Sequence, residues 1–217
     1  AAEGSTGEEG EAGCAAAWAY GYGGYDAEAG RVTRFEALPY FTGSAWQGGQ
    51  DWPDAALGWL QLTAEGGHPG KDHEHAVIRR WRAPEAMRVR IATTLQHARA
   101  EGDGVRAYIV SSRTGLAASG AAHNERAAIA CGVLEVEAGE AIDFVVDLGE
   151  TLTHDEFSWQ IEIAQGGAEA AIATGAKRTA GTWNAARDFG GTVTEQLGAW
   201  EQLAQVLLAA NEFVFVD

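Results

Sequence analysis

Apolar and polar residues alternate almost without error along Met87–His97. Met87, Val89, Ile91, Thr93 and Leu95 take one side, and Arg88, Arg90, Ala92, Thr94 and Gln96 take the other. A repeat of two is the period of a β-strand with one buried face. Residues 105–112 continue in the same texture, and Asp103-Gly104 lies between the two runs. Asp-Gly in that position predicts a hairpin, because glycine accepts the positive φ of its turn. Two more runs follow. Ile142, Phe144, Val146 and Leu148 share one face of 142–148, and Phe157, Trp159, Ile161 and Ile163 share one face of 157–163. Strands are also predicted over 31–38, 57–63, 76–83 and 129–136, the last with a bulge at Gly132 where the alternation slips. Two antiparallel sheets packed face to face bury several such faces. The expected fold is mainly β, a jelly-roll-like antiparallel β-sandwich. Its core is expected to hold Val89, Ile91, Leu95, Ile109, Phe144, Val146, Trp159 and Ile161.

The flanks read differently. Residues 1–17 are small and acidic and predict a flexible linker, because such a composition buries too little to offset ordering. The sandwich is expected over 18–165. Residues 166–194, opening in a Gly, Ala and Thr rich stretch, read as a second linker. In 195–217, Leu197, Trp200, Leu203, Ala204, Leu207 and Leu208 recur at helical spacing. They predict a C-terminal helix stopping near Asn211, then a terminal extended piece. Its apolar face implies docking on the sandwich, on other domains of a parent protein or on a second copy.

Charge narrows the classes of partner. The 217 residues carry a formal net charge of -16. That excludes nucleic acid, which needs a basic surface, and equally an anionic membrane. No apolar run is long enough to span a bilayer. The N-terminus lacks the basic and then apolar pattern of a leader, so the chain reads as a mature or excised piece. Cys14 and Cys131 form no metal-type cluster, and they read either as one disulfide or as two free thiols.

The candidate chemistry lies in the aromatics. Trp18, Tyr20, Tyr22, Tyr25, Tyr40, Trp46 and Trp52 crowd among glycines and polar residues. Sugar rings stack on such side chains, while amides and acids bind the hydroxyls. The predicted ligand site is therefore Tyr22, Tyr25, Tyr40, Trp46, Gln47, Gln50, Asp51, Trp52 and Asp54, taking a neutral glycan. The competing reading is that these rings are buried and hold loops down. His68, His73 and His75 match neither a zinc helix nor a zinc finger, so no metal site is assigned to them. Clustered oxygens at Asp143, Asp147 and Asp155 are better candidates for a structural calcium, against the default reading that they are solvated outward carboxylates. Ser111, Ser112, His97 and Asp103 lack a nucleophile elbow, and no carboxylate pair stands out, so no catalytic role is assigned.

Several stretches also resemble a known family. They are Trp18-Ala-Tyr-Gly-Tyr-Gly, Pro39-Tyr-Phe-Thr-Gly, Trp46-Gln-Gly-Gly, Leu57-Gly-Trp, Gly66-Gly-His-Pro-Gly and Arg79-Arg-Trp. The order continues with His97 and Gly102-Asp-Gly-Val, Ser111-Ser-Arg, Ile142-Asp-Phe-Val-Val-Asp and Trp200-Glu-Gln-Leu-Ala-Gln-Val-Leu-Leu. Together they resemble the C-terminal part of large exported proteins with a planctomycete-type cytochrome c domain and planctomycete-specific domains of unknown function. The resemblance implies an extracytoplasmic setting. The haem-attachment motif Cys-x-x-Cys-His is absent, so the resemblance gives this chain no electron-transfer role. The β-region is also similar to jelly-roll carbohydrate-binding modules. The expected function is a non-catalytic carbohydrate-binding or targeting module of an exported multidomain protein. The alternatives are a structural packing or self-association module without a sugar ligand and, behind it, a hydrolase.

Overall fold

The computed structural model describes residues 17–166 and 181–194. In chain order the strands are β1 (Trp18–Gly23), β2 (Tyr25–Asp26), β3 (Arg31–Val32), β4 (Glu36–Ala37), β5 (Tyr40–Phe41), β6 (Ala45–Gln47), β7 (Gln61–Thr63) and β8 (Gly66–His68). A 3-10 turn at His73–His75 leads into β9 (Ala76–Arg82), β10 (Met87–His97), β11 (Val105–Ser111), β12 (Gly115–Ala122) and β13 (Glu125–Ala128). Then come β14 (Val133–Val136), β15 (Ala141–Leu148), β16 (Phe157–Gln165) and β17 (Thr182–Asn184). A six-stranded sheet runs β12-β11-β15-β9-β1-β4. A nine-stranded sheet runs β13-β10-β16-β8-β7-β6-β5, with β14 also on β10 and β17 also on β16. All these pairings are antiparallel.

The sheets face each other across one core. Val89, Ile91 and Leu95 of β10 and Trp159, Ile161 and Ile163 of β16 pack against Ile109 of β11 and Ile142, Phe144 and Val146 of β15. Every core residue expected from the alternation is buried. The outer face of the six-stranded sheet is covered too. Tyr25, Val32 and Phe35 from the β2–β3 segment lie on Ala76, Ile78, Val110 and Val145. With both faces covered, β15 is buried at every position, which is why its polar residues need partners. Asp143 has a two-point ion pair with Arg80, at 2.7 Å for each contact. Asp147 accepts from His73 Nδ1 at 2.8 Å.

Arg79 ties the two sheets together. It is fully buried, points inward from β9 and donates to the carbonyls of Thr63, Ala64 and Gly66 at 2.7–3.1 Å. These carbonyls belong to the β7–β8 hairpin of the opposite sheet. Burial lowers the Arg79 pKa to about 10, so the guanidinium stays charged at neutral pH.

Several sequence expectations are corrected. The chain bends at 101–102 and Gly104 takes φ +81, but β10 and β11 lie in different sheets and do not pair. The hairpin partner of β11 is β12, across Ser112–Thr114. Residues 31–38 give two short strands, and 57–63 gives strand only at Gln61–Thr63. Near Gly132 the ladder breaks into β13 and β14. Ala128 pairs with Thr94 and Val133 with Arg90, so this side carries one residue more than β10 over the gap. The Thr93 hydroxyl donates to the Ile129 carbonyl there at 3.1 Å. Residues 181–194 are not linker-like. β17 pairs with β16, and Trp183 is buried on Trp81, ring centroids 5.1 Å apart. Residues 1–16, 167–180 and 195–217, which hold all but Ala17 of the acidic linker read over 1–17, most of the opening of the second linker, and the C-terminal helix with its extended piece, lie outside the described residues, as does Cys14. Among the described residues no helix is long and apolar enough to cross a membrane.

Candidate functional site

The predicted aromatic set does not gather into one platform, and each ring has a physical reason. Trp46 stacks on Tyr20 at 5.8 Å and packs on Phe41 at 5.0 Å. Its Nε1 donates to the Gly190 carbonyl at 3.0 Å, and the 189–194 segment lies against it. Tyr22 donates its hydroxyl to Glu36 at 2.6 Å and stacks on His75. Tyr25 stacks on Tyr108 at 3.9 Å, on the outer face of the six-stranded sheet. Tyr40 is half-buried opposite Gln47. Asp54 caps a turn, accepting from the Ala56 and Leu57 amides at 2.8 Å. Gln50 and Asp51 are exposed. Only Trp52 of the predicted set lines the cleft described next.

That cleft has a volume of about 520 Å³, within the usual range for small-ligand sites. Its mouth is made by two indoles, Trp52 and Trp59, 42% and 45% exposed. Their rings meet edge to face, centroids 4.9 Å apart and planes at 86°. Trp52 Nε1 donates to the Trp59 backbone carbonyl at 3.2 Å, which anchors the Trp52 ring to the Trp59 backbone. Gln61, Thr63, Gly67 and His68 of β7 and β8 line the next wall. Gln61 and His68 are directly opposed in the ladder, so their side chains leave the same face. Leu152, His154, Glu156 and Phe157 close the other side.

Local packing positions these groups. Gly67 gives the close approach of β8 to β7: a Cβ there would lie 2.2 Å from the Gln61 carbonyl oxygen. Gln47, buried on β6, accepts from Gln61 Nε2 at 3.0 Å and donates to the Gly49 carbonyl at 2.7 Å. It acts on the cleft through Gln61 and does not line it. The Arg79 bonds hold the turn from which β8 starts.

The polar lining is matched to uncharged groups. His68 Nδ1 donates to the Pro69 carbonyl at 2.7 Å, and burial pushes its pKa down. The neutral ring therefore keeps Nε2 as an acceptor. Glu156 is held below the usual carboxylate range by its hydrogen bond with Arg99 Nε, at 2.5 Å. Among the described residues it is the one carboxylate lining the cleft. The two facing acids of glycoside hydrolysis are thus not assembled there. The Ser, His and Asp residues weighed for a triad are apart as well. The buried Ser111 donates to Glu140 at 2.6 Å. His97, in the other sheet, donates Nε2–H to the His154 carbonyl at 2.6 Å.

The metal candidates separate in the same way. His68 is in the cleft, His73 is on Asp147, and His75 is on Asp72 at 2.5 Å. Asp143 and Asp147 are already paired, so the expected oxygen cluster with Asp155 does not form. Among the described residues no three His, Cys, Asp or Glu side chains converge on a metal position. Asp155 stands apart: burial, with Asp103 adding to it and His97 opposing, pushes its pKa up to about 6.

Neither a family model nor a curated protein matches the chain. Among solved structures it is similar to the PA14 domain of MpAFP antifreeze protein. The identity is 13%, over 78% of this chain and 90% of that one, with a TM-score of 0.33. A likeness at this level carries no argument, and the functional reading rests on the cleft.

Trp59, His68, Leu152, His154 and Glu156 were not in the predicted set. The alternation over 57–63 puts Trp59 on the face of Gln61 and Thr63, opposite the buried Leu60 and Leu62, so that much of the cleft wall was legible in the sequence.

Proposed function

We propose that the chain is a non-catalytic carbohydrate-binding module that takes a neutral glycan in the Trp52–Trp59 cleft. The observation that carries the reading is the pair of exposed indoles at the mouth of a 520 Å³ cleft. Indole faces stack on the C–H faces of sugar rings, while Gln61, Thr63 and neutral His68 bind hydroxyls at the ring edges. Glu156 and the net charge of -16 disfavour anionic chains. The sandwich is the jelly-roll variety under this reading. The module belongs to an exported multidomain protein and works outside the cytoplasm, where 195–217 docks on neighbouring domains or on a second copy.

An open cleft with few anchoring contacts binds single sugars weakly, so chain length should help. Isothermal titration with neutral oligosaccharides of increasing length tests this. Affinity should rise from one sugar unit to the length that fills the cleft and then level off. Absence of heat at every length, with the rings instead covered in a self-associated form seen by sedimentation, would favour the packing module.

A further inference from the structure

The aromatic planes at the mouth of the cleft are crossed. Trp52 and Trp59 meet at 86°, with centroids 4.9 Å apart. His68, on the adjoining wall, is tilted by 43° to Trp59 at 6.4 Å. Neither pair is parallel, so the three rings turn around the cleft and do not pave a flat floor. At 42% and 45% exposure, each indole keeps open surface despite touching the other. The near-parallel pairs Tyr20–Trp46, Tyr22–His75 and Tyr25–Tyr108 are stacked on each other and lie outside the cleft.

The backbone between the two indoles sets their angle. Asp54 and Gly58 exchange both amide hydrogen bonds at 2.8 Å. The Asp54 carboxylate accepts from the Ala56 and Leu57 amides inside the same turn. Gly58 takes φ +70, which glycine adopts without steric cost. Across this closed turn, Trp52 Nε1 is tied to the Trp59 carbonyl at 3.2 Å. The crossed rings are therefore set before a ligand arrives, and binding does not have to reorient them.

A sugar ring stacks with its C–H face parallel to the face of the indole. Two units of one chain can occupy both indoles only if their own planes turn relative to each other. In a β-1,4-linked ribbon, equatorial bonds at both ends of each unit keep successive rings near one plane, and such a chain can stack on one indole at a time. In α-1,4- and β-1,3-linked glucans the chain bends at each linkage, and successive rings turn. We infer that the cleft selects a neutral glycan whose successive rings turn over a flat β-1,4 ribbon, a choice that rests on the glycan reading given above. The walls agree with it. Gln61, Thr63 and His68 on one side and Leu152, His154 and Glu156 on the other leave a trough for a single chain, not a plane for the face of a crystalline polysaccharide.

Isothermal titration of the full chain with neutral hexasaccharides tests this. The turning chains are α-1,4- and β-1,3-linked glucans, and the ribbons are β-1,4-linked glucan and mannan. The better turning chain should bind at least about fivefold more tightly than either ribbon, the weight of one stacking contact. Trp52→Ala and Trp59→Ala, each first checked for a parental Tm, should bring that ratio close to one, because a single indole cannot read the turn. Two variants are used so that loss of folding in one leaves the other to decide. A ribbon that binds as tightly as the turning chains, or more tightly, would overturn the selection and leave the glycan reading standing. A ratio unchanged in a folded variant would overturn it as well. No binding heat with any hexasaccharide would overturn both.

Discussion

Trp52 and Trp59 expose large apolar rings that most folds would cover; Trp52 is held by its Nε1 hydrogen bond and Trp59 by the edge-to-face contact between the two rings. Truncating either removes a stacking surface and little internal packing. Trp52→Ala and Trp59→Ala should each weaken glycan binding by about fivefold, which is about 1 kcal/mol. Tm should stay within about 2 °C in thermal unfolding. A large loss of Tm would mean that the rings are structural. His68 adds a pH dependence to the same wall. Its folded pKa is lowered, so the neutral ring is favoured in the native state. Its contribution to stability is fully present above the unfolded value of about 6.5 and is lost as pH falls through the lower folded value. Glycan affinity should therefore hold through neutral pH and fall only on acidification through that lowered folded value. His68→Gln, retaining an acceptor that does not titrate, should flatten that profile in affinity electrophoresis. An unchanged acid-side fall in the variant would assign the effect to another group.

At the scale of elements, β10 shows what alternation reveals. Its inward set follows the strand period, so Ile91 was placed correctly from sequence and is 3% exposed. Ile91→Ala should cost about 2–5 kcal/mol in denaturant unfolding, as truncation of a buried aliphatic does. A cost near zero would put that face outside the core. The same alternation says nothing about partners. Asp103-Gly104 has turn chemistry, but the chain leaves the turn for the opposite sheet, and no local signal distinguishes the two. β8 was illegible for another reason. Gly66-Gly67 lacks side chains to alternate, and its strand character comes from contact with β7 and β16. Gly67→Ala should force β8 off β7, lowering Tm by several degrees and weakening glycan binding together. Retention of both would show that the backbone relaxes around the new methyl.

At the scale of the molecule, the candidate site is assembled from two distant stretches, 52–68 and 152–157. The fold class was readable because the long strands β10, β15 and β16 each carry their own pattern. The cleft was not, because it depends on which stretches meet. Arg79 is one link: from the six-stranded sheet it fixes the turn that leads into the cleft wall. The 181–194 segment is another. Its Gly, Ala and Thr rich approach reads as linker, yet Trp183 fills the core beside Trp81, and Phe189 packs on Tyr20 at 4.8 Å. That packing is what takes Trp46 out of the ligand site and leaves Trp52 and Trp59 as the exposed pair. The central claim is that this pair is a sugar platform. Affinity electrophoresis of the wild type and the Trp52→Ala/Trp59→Ala double variant, through gels of neutral and acidic polysaccharides, tests it most directly. The account predicts retardation of the wild type by at least one neutral polysaccharide, lost in a double variant that still unfolds near the parental Tm. Equal retardation of both proteins, or none of the wild type across the panel, would contradict it.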